Sequence, residues 1–165
     1  MRCSVGLDGT LLRKACRKGV AMKRVILLVT VFSILLVFAG CRSEETIKKD
    51  IFKLVESNYD TIVEAYENKD TDALYAIDGI EDVNIVEGYI LVYCGGQGIA
   101  PSSQDYGFYY SEGNLPVAVD CNNDIACSNE ELVAEGDGYK YYDEGGNSYY
   151  TEHIKGNIYF YSNNY

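Results

Sequence analysis

Apolar residues recur every three or four positions from Ser43 to Asn68, a spacing that predicts one amphipathic helix. Ser43 is placed to cap the helix, and Glu44 and Glu45 fall in its first turn, where the helix dipole favours anions. The repeating apolar positions are Ile47, Ile51, Leu54, Val55, Tyr59, Ile62, Val63 and Tyr66.

A second, shorter helix is predicted directly after the first. Thr71 serves as its cap, Leu74 and Ile77 face inward, and Gly79 ends it.

Beyond Gly79 the pattern changes to short apolar runs separated by Gly, Asn, Asp and Ser. Closely spaced short strands without helices between them predict an antiparallel meander, and Lys155-Gly156-Asn157 predicts a hairpin turn between the last two strands. Helices first and sheet afterwards indicate an α+β fold, with the long helix packed on one face of the sheet. The predicted strands are Val83–Val86, Tyr89–Cys94, Tyr106–Ser111, Pro116–Asp120, Glu131–Ala134, Tyr139–Tyr142, Ser148–Ile154 and Ile158–Ser162.

The N-terminal segment carries a different pattern. Lys23-Arg24 precede an apolar run from Val25 that closes on Phe38-Ala39-Gly40-Cys41. A charged start, a short apolar stretch and small residues before a cleavage point are typical of a secretory signal, and the run is shorter than the roughly 20 residues of a membrane span. A plain signal peptide and a retained helix are the alternatives.

The cysteine after Ala39-Gly40 resembles the lipobox of bacterial lipoprotein precursors, with Phe38 in place of the usual leucine. The resemblance implies a diacylglyceryl thioether on Cys41 that incorporates fatty acid such as palmitate, cleavage between Gly40 and Cys41, and anchoring at the outer face of the cell membrane. Two acyl chains give stable anchoring, whereas a single chain binds only marginally.

The chain therefore divides into three parts. Residues 1–21 form an upstream extension that we interpret as non-native, because a complete signal can begin at Met22. Residues 22–40 are the predicted signal peptide. Residues 41–165 are the predicted mature chain, long enough for a single domain with one core.

Removal of residues 1–40 makes the net charge more negative. Residues 41–165 hold seven Lys and Arg against 24 Asp and Glu, a formal charge of −17. Such a surface is repelled by nucleic acid phosphates and by anionic lipid headgroups. The charge therefore excludes nucleic acid as a partner and favours cations and cationic ligands.

If Cys41 is lipidated, three other cysteines remain in the predicted mature chain, namely Cys94, Cys121 and Cys127. In an oxidising compartment, one disulfide and one free thiol are expected. The local pair Cys121–Cys127 is the first choice, and pairing of Cys94 with either residue is the alternative.

One stretch of the chain matches the ligand spacing of a calcium loop. Asp120, Asn122, Asp124 and Glu131 occupy positions 1, 3, 5 and 12, where oxygen ligands can surround a hard cation. Ile125 replaces the glycine that makes the sharp turn of such loops. The alternative is an acidic, Asn-rich surface turn, and no other cofactor is indicated.

Cys94 and the single histidine, His153, form a candidate nucleophile and base for a thiol-dependent enzyme. A reactive thiolate needs electropositive surroundings, which this acidic domain offers poorly. The simpler interpretation makes Cys94 a small buried residue or half of a disulfide.

Residues 94–103 and 106–111 resemble segments of small lipoproteins of Gram-positive bacteria that carry no assigned activity. The glycines from Gly95 to Gly98 lack the lysine of a phosphate-binding loop, so we expect a wide connection between two strands.

All 16 tyrosines follow Cys41, and most lie on predicted strands. Tyrosine packs well on half-buried strands and is also enriched at interfaces. The sequence therefore predicts a lipid-anchored, extracytoplasmic, non-catalytic binding module with a protein or carbohydrate ligand. A thiol-dependent enzyme and a calcium-binding envelope protein are the alternatives.

Overall fold

The computed structural model describes residues 42–99 and 102–165. The predicted extension 1–21, signal peptide 22–40 and lipidation site Cys41 lie outside these residues. Within them the α+β prediction is confirmed, because two helices precede and pack on an antiparallel sheet.

The long helix α1 spans Glu44–Asn68. Ser43 caps it as predicted, since its Oγ accepts a hydrogen bond from the Thr46 N–H. Asn58 departs from helical geometry and bends α1, and its side chain donates to the Leu54 carbonyl. The core-facing positions Ile51, Val55, Ile62 and Ala65 are buried.

The short helix α2 spans Thr71–Tyr75. Its cap is Asp70 rather than the predicted Thr71, because the Asp70 carboxylate accepts from the Ala73 N–H. The Asp70 N–H also closes the end of α1 by donating to the Ala65 carbonyl. One residue therefore ends the first helix and begins the second.

Nine strands follow, and seven of them form one sheet in the order β1-β2-β3-β9-β8-β7-β6. The sheet is two meanders, β1–β3 and β6–β9, joined where β3 pairs with β9. Between the meanders, β4 and β5 form a separate two-stranded sheet. The strands are β1 Asp82–Val86, β2 Tyr89–Ile99, β3 Ser102–Ser111, β4 Ala118–Val119, β5 Ile125–Cys127, β6 Val133–Glu135, β7 Gly138–Tyr142, β8 Ser148–Lys155 and β9 Ile158–Asn164.

The largest difference from the predicted strands lies in the glycine-rich segment. Gly95 to Gly98 continue β2 instead of forming a wide connection, and residues 96–98 pair with the start of β3. The register shifts between Tyr93 and Gly96, and Gly95 and Gly98 adopt positive φ. These glycines therefore accommodate a bulge that other residues adopt only with strain.

Both faces of the central strands are buried. On one face α1 covers a core that includes Ile90, Val92, Phe108 and Phe160. On the other face the segment carrying β4 and β5 covers a second core. Its members include Leu91, Tyr109, Val117, Val119, Tyr159 and Tyr161.

Gly107 permits the close packing of this second core. A Cβ at Gly107 would clash with the Val92 carbonyl oxygen and lie 2.6 Å from the ring of Tyr161. The absence of a side chain therefore lets the Tyr161 ring lie across β3.

Candidate functional site

The C-terminal end of α1 and the β1–β2 hairpin enclose a cavity of about 570 Å³, which we call the hairpin cleft. A volume of this size is within the range of small-molecule sites. The cleft is lined by Tyr66, Glu67 and Lys69 of the helix end, by Ile85, Val86, Glu87, Gly88, Tyr89 and Ile90 of the hairpin, and by Glu112.

Local backbone geometry forms both walls of the cleft. Lys69 adopts the left-handed conformation that ends α1. A two-residue turn, Glu87-Gly88, joins β1 to β2, and Gly88 supplies the positive φ. The helix end and the hairpin tip therefore present their side chains from opposite sides.

An aromatic pair supports the helix side of the cleft. The ring of Tyr66 stacks on that of Tyr110 with centroids 4.0 Å apart. The Tyr66 hydroxyl donates a 3.0 Å hydrogen bond to Glu112 Oε2. Burial, and then this bond and the charge of Glu112, raise the pKa of Tyr66 to about 12, so the phenol stays protonated at neutral pH.

The charges around the cleft are mostly negative. Glu67, Glu87 and Glu112 line it, and Lys69 is the single basic residue among the described residues of its lining. The last turn of α1 carries no basic residue, so its carbonyl ends add partial negative charge. Apolar side chains within an electronegative rim suit a ligand with an apolar part and a positive charge.

The residues of the predicted calcium loop are engaged with one another. Asp120 Oδ1 accepts from the backbone N–H groups of Asn122 at 2.8 Å and Asp124 at 3.1 Å. The carboxylate of Asp120 thus organises the turn between β4 and β5, while Glu131 lies in a separate 3₁₀ turn. In the part of the chain that the structure describes, no group of three or more His, Cys, Asp or Glu side chains is arranged to hold a metal ion. Calcium binding stays a prediction, which a rise in melting temperature with millimolar Ca²⁺, lost in Asp120→Ala, would test.

Asp120 also lines a second, acidic pocket of about 320 Å³. Asp82 and Asp105 reach this pocket from β1 and β3, and Cys121 lies beside them. Burial raises the pKa of Asp105 although a hydrogen bond to Tyr93 opposes the shift. The pocket brings together polar side chains that are far apart in the sequence.

The three described cysteines are free thiols, so the predicted Cys121–Cys127 disulfide is not formed in this structure. Cys121 is exposed in the β4–β5 turn, whereas Cys127 is buried on β5. Burial, and then the charge of Glu81, raise the pKa of the Cys94 thiol to about 12.

The structure does not bring Cys94 and His153 together. Cys94 packs against the core beneath α1, and His153 is exposed on β8 with Nε2 2.7 Å from the Gly156 carbonyl oxygen. Strands β3 and β9 lie between β2 and β8, which separates the backbones by about 14 Å at ordinary strand spacing. The high pKa of Cys94 also disfavours a thiolate nucleophile.

At the N-terminal end of α1, a polar pocket of about 320 Å³ contains residues from the helix and from the sheet. Beside it, Lys48 forms an ion pair with Glu152, which also accepts a 2.6 Å hydrogen bond from the Tyr150 hydroxyl. The carboxylate of Glu152 is largely buried, so these two partners replace its hydration.

Most of the tyrosines on central strands are buried rather than arranged as a solvent-exposed strip. Tyr106, Tyr109, Tyr149, Tyr159 and Tyr161 are buried, and Tyr139 and Tyr142 of β7 are exposed. The face of the sheet that carries Tyr109, Tyr159 and Tyr161 is covered by the β4–β5 segment.

No local sequence pattern marks the residues of the hairpin cleft as a site. The apolar spacing of α1 predicts only that Tyr66 faces the sheet, and Glu112 and Ile85 belong to residue types that are common on any surface or strand. Only the paired register of β1 with β2 and the position of the α1 end bring these side chains together.

Comparisons with protein-family models, curated proteins and solved structures find no match to this chain. Within residues 42–99 and 102–165, no helix is both long and apolar enough to cross a membrane.

Proposed function

We propose that this chain is a lipid-anchored, extracytoplasmic binding protein whose hairpin cleft takes an organic cation with an apolar part. The observation that carries the ligand class is the cleft itself. Tyr66 and Ile85 supply apolar surface, and three glutamates surround them with one lysine.

The position of the cleft supports this role. If Cys41 carries the lipid, the start of α1 lies next to the membrane. An α-helix of 25 residues is about 37 Å long, and the hairpin cleft is at its far end. We propose that α1 points away from the bilayer, so that the cleft opens toward the outside of the cell.

The interior of the site favours binding over catalysis. The Tyr66 hydroxyl is engaged in its hydrogen bond to Glu112, and the cleft is lined by neither cysteine nor histidine among the described residues. Its carboxylates are suited to holding positive charge.

Lipidation is tested by metabolic labelling with a palmitate analogue. We expect label on the protein, loss of label in Cys41→Ser, and retained label in the matched variant Cys94→Ser. An unlabelled protein whose native N-terminus lies upstream of Cys41 would overturn the anchor.

Ligand class is tested with three small probes of similar size: phenethylammonium, phenethyl alcohol and phenylacetate. Methyl NMR signals of Ile85 and Ile90 are followed during titration. We expect phenethylammonium to shift them at the lowest concentration and phenylacetate to have no effect.

Two charge variants serve as a matched pair. Glu87→Gln should weaken phenethylammonium binding about threefold, as expected for loss of one exposed charge partner. Glu56→Gln, an exposed helix position outside the cleft, should leave binding unchanged. Equal binding of all three probes would contradict the proposed ligand class.

A further inference from the structure

The free edge of the large sheet borders the hairpin cleft. In the part of the chain that the structure describes, β1 is the terminal strand and pairs on one side only, with β2. An unpaired edge strand presents backbone N–H and C=O groups that can accept another strand.

The register determines which residues face outward. The two-residue turn makes Val86 and Tyr89 the closing hydrogen-bonded pair, so Asn84 and Asp82 also direct their backbone groups toward β2. Val83 and Ile85 therefore direct theirs away from the sheet. The Val83 N–H confirms this, because it donates a 3.1 Å hydrogen bond to the Tyr75 hydroxyl outside the sheet.

Tyr75 closes the first half of this edge. Its hydroxyl accepts from the Val83 N–H and donates to Asp82 Oδ1 at 3.1 Å. Among the side chains that the structure describes, none forms such a hydrogen bond at Ile85. The part of the edge that stays open is therefore short. It consists of Ile85 and Val86, which also line the cleft.

The side chain of Ile85 indicates where an added strand would place its own side chains. Ile85 pairs with the buried Ile90, so both lie on the face of the sheet covered by α1. Alternate side chains of a strand next to β1 would point toward the same face, into the cleft.

We infer that the occupant of the hairpin cleft is an extended basic peptide segment that pairs with the backbone of β1 at Ile85. This inference rests on the proposed function and specifies its ligand. The peptide gains main-chain hydrogen bonds from Ile85, and its lysine or arginine side chains lie among Glu67, Glu87 and Glu112. Tyr75 limits the paired length by closing the edge at Val83.

The test uses a blocked heptapeptide of alternating lysine and valine, titrated into the protein. We expect binding, a shift of the Ile85 amide signal and slower hydrogen exchange at that amide. A heptapeptide of alternating glutamate and valine should not bind.

Two N-methylated versions of the basic heptapeptide give the decisive comparison. Successive amides of a strand point to opposite sides, so either the lysine amides or the valine amides face β1. Methylation of the facing set should weaken binding at least tenfold, and methylation of the other set should leave it nearly unchanged.

Each other outcome overturns strand pairing. If both methylated peptides bind as well as the parent, the cleft holds the peptide without backbone pairing, and the proposed function survives. If phenethylammonium binds and the heptapeptide does not, the occupant is a small cation. If the protein forms a dimer without peptide, and hydrogen exchange at the Ile85 amide is slow in that dimer, the partner of β1 is a second copy of this chain.

Discussion

Tyr66 on the last turn of α1 and Tyr110 on β3 stack with an interplanar angle of 24°, and this contact fixes the helix end against the sheet. The same tyrosine forms one wall of the hairpin cleft and bonds Glu112. Removal of its ring therefore acts on stability and on ligand binding together.

Tyr66→Ala should lower the free energy of unfolding by about 2 kcal/mol, from lost apolar burial and the lost ring pair. Tyr66→Phe keeps the ring and should cost about 0.5 kcal/mol for its exposed hydrogen bond. Urea unfolding measures both, with Tyr142→Phe as the control at an exposed tyrosine. Equal losses for Ala and Phe would show that stacking is unimportant.

The ion pair of Lys48 and Glu152 should respond asymmetrically to substitution. Lys48→Met leaves a largely buried carboxylate without its cation and should cost about 3 kcal/mol. Adding Glu152→Gln, which removes the charge but keeps an acceptor for Tyr150, should restore more than half of that loss.

An exposed pair on the same helix provides the matched control. Lys49 Nζ lies 3.3 Å from Glu45 Oε1, and the two side chains are 72% and 66% exposed, respectively. Lys49→Met should therefore change the free energy of unfolding by less than about 0.5 kcal/mol. A similar loss at positions 48 and 49 would argue against the burial explanation.

The Tyr109 hydroxyl ties the segment before β4 to the sheet. It accepts from the Val117 N–H at 2.9 Å and lies 2.7 Å from Thr151 Oγ1. Tyr109→Phe leaves a buried N–H unpaired and should cost about 2 kcal/mol. Faster hydrogen exchange should appear at Val117 before global unfolding, and an unchanged rate there would contradict the tether.

Alkaline pH should destabilise the fold through its tyrosines. Burial and nearby carboxylates raise the pKa of Tyr66 and Tyr149 to about 12, from an ordinary value of 10. Burial also raises the pKa of Tyr109 and Tyr161. Above pH 10 the unfolded chain releases phenol protons that the folded chain retains. The stabilisation is therefore complete below pH 10 and decreases as pH rises through the folded pKa values.

Two measurements check this pH dependence. The urea midpoint should be nearly constant as pH approaches 10 and then fall. Phenolate absorbance should show that part of the tyrosines in the native protein ionise only when the fold is lost. Simultaneous ionisation of all 16 at the ordinary pKa would contradict the burial of these rings.

The helices were predictable because their signals are local. The apolar spacing from Ile47 to Tyr66 and the cap at Ser43 specify α1 almost to the residue. Asp70 and Thr71 are adjacent residues that can each cap a helix, and composition does not distinguish them. In the structure Asp70 caps α2.

The sheet was predictable in content but not in order. The pairing of β3 with β9 joins residues about fifty positions apart, and short-range alternation carries no information on such partners. The glycines of β2 resemble those of a turn, yet here they form a bulge within a long hairpin. The hairpin cleft combines both problems, since its walls meet only through tertiary packing.

The length of α1 has a consequence for ionic conditions. At physiological ionic strength electrostatic effects decay over about 8 Å, whereas the helix places the cleft several times farther than that from the proposed anchor. If α1 points away from the bilayer as proposed, lipid headgroup composition should have little influence on capture at the cleft. Added salt should weaken binding of the cationic ligand by screening the glutamates of the cleft. The weakening should be equal for protein anchored on vesicles and for protein in free solution.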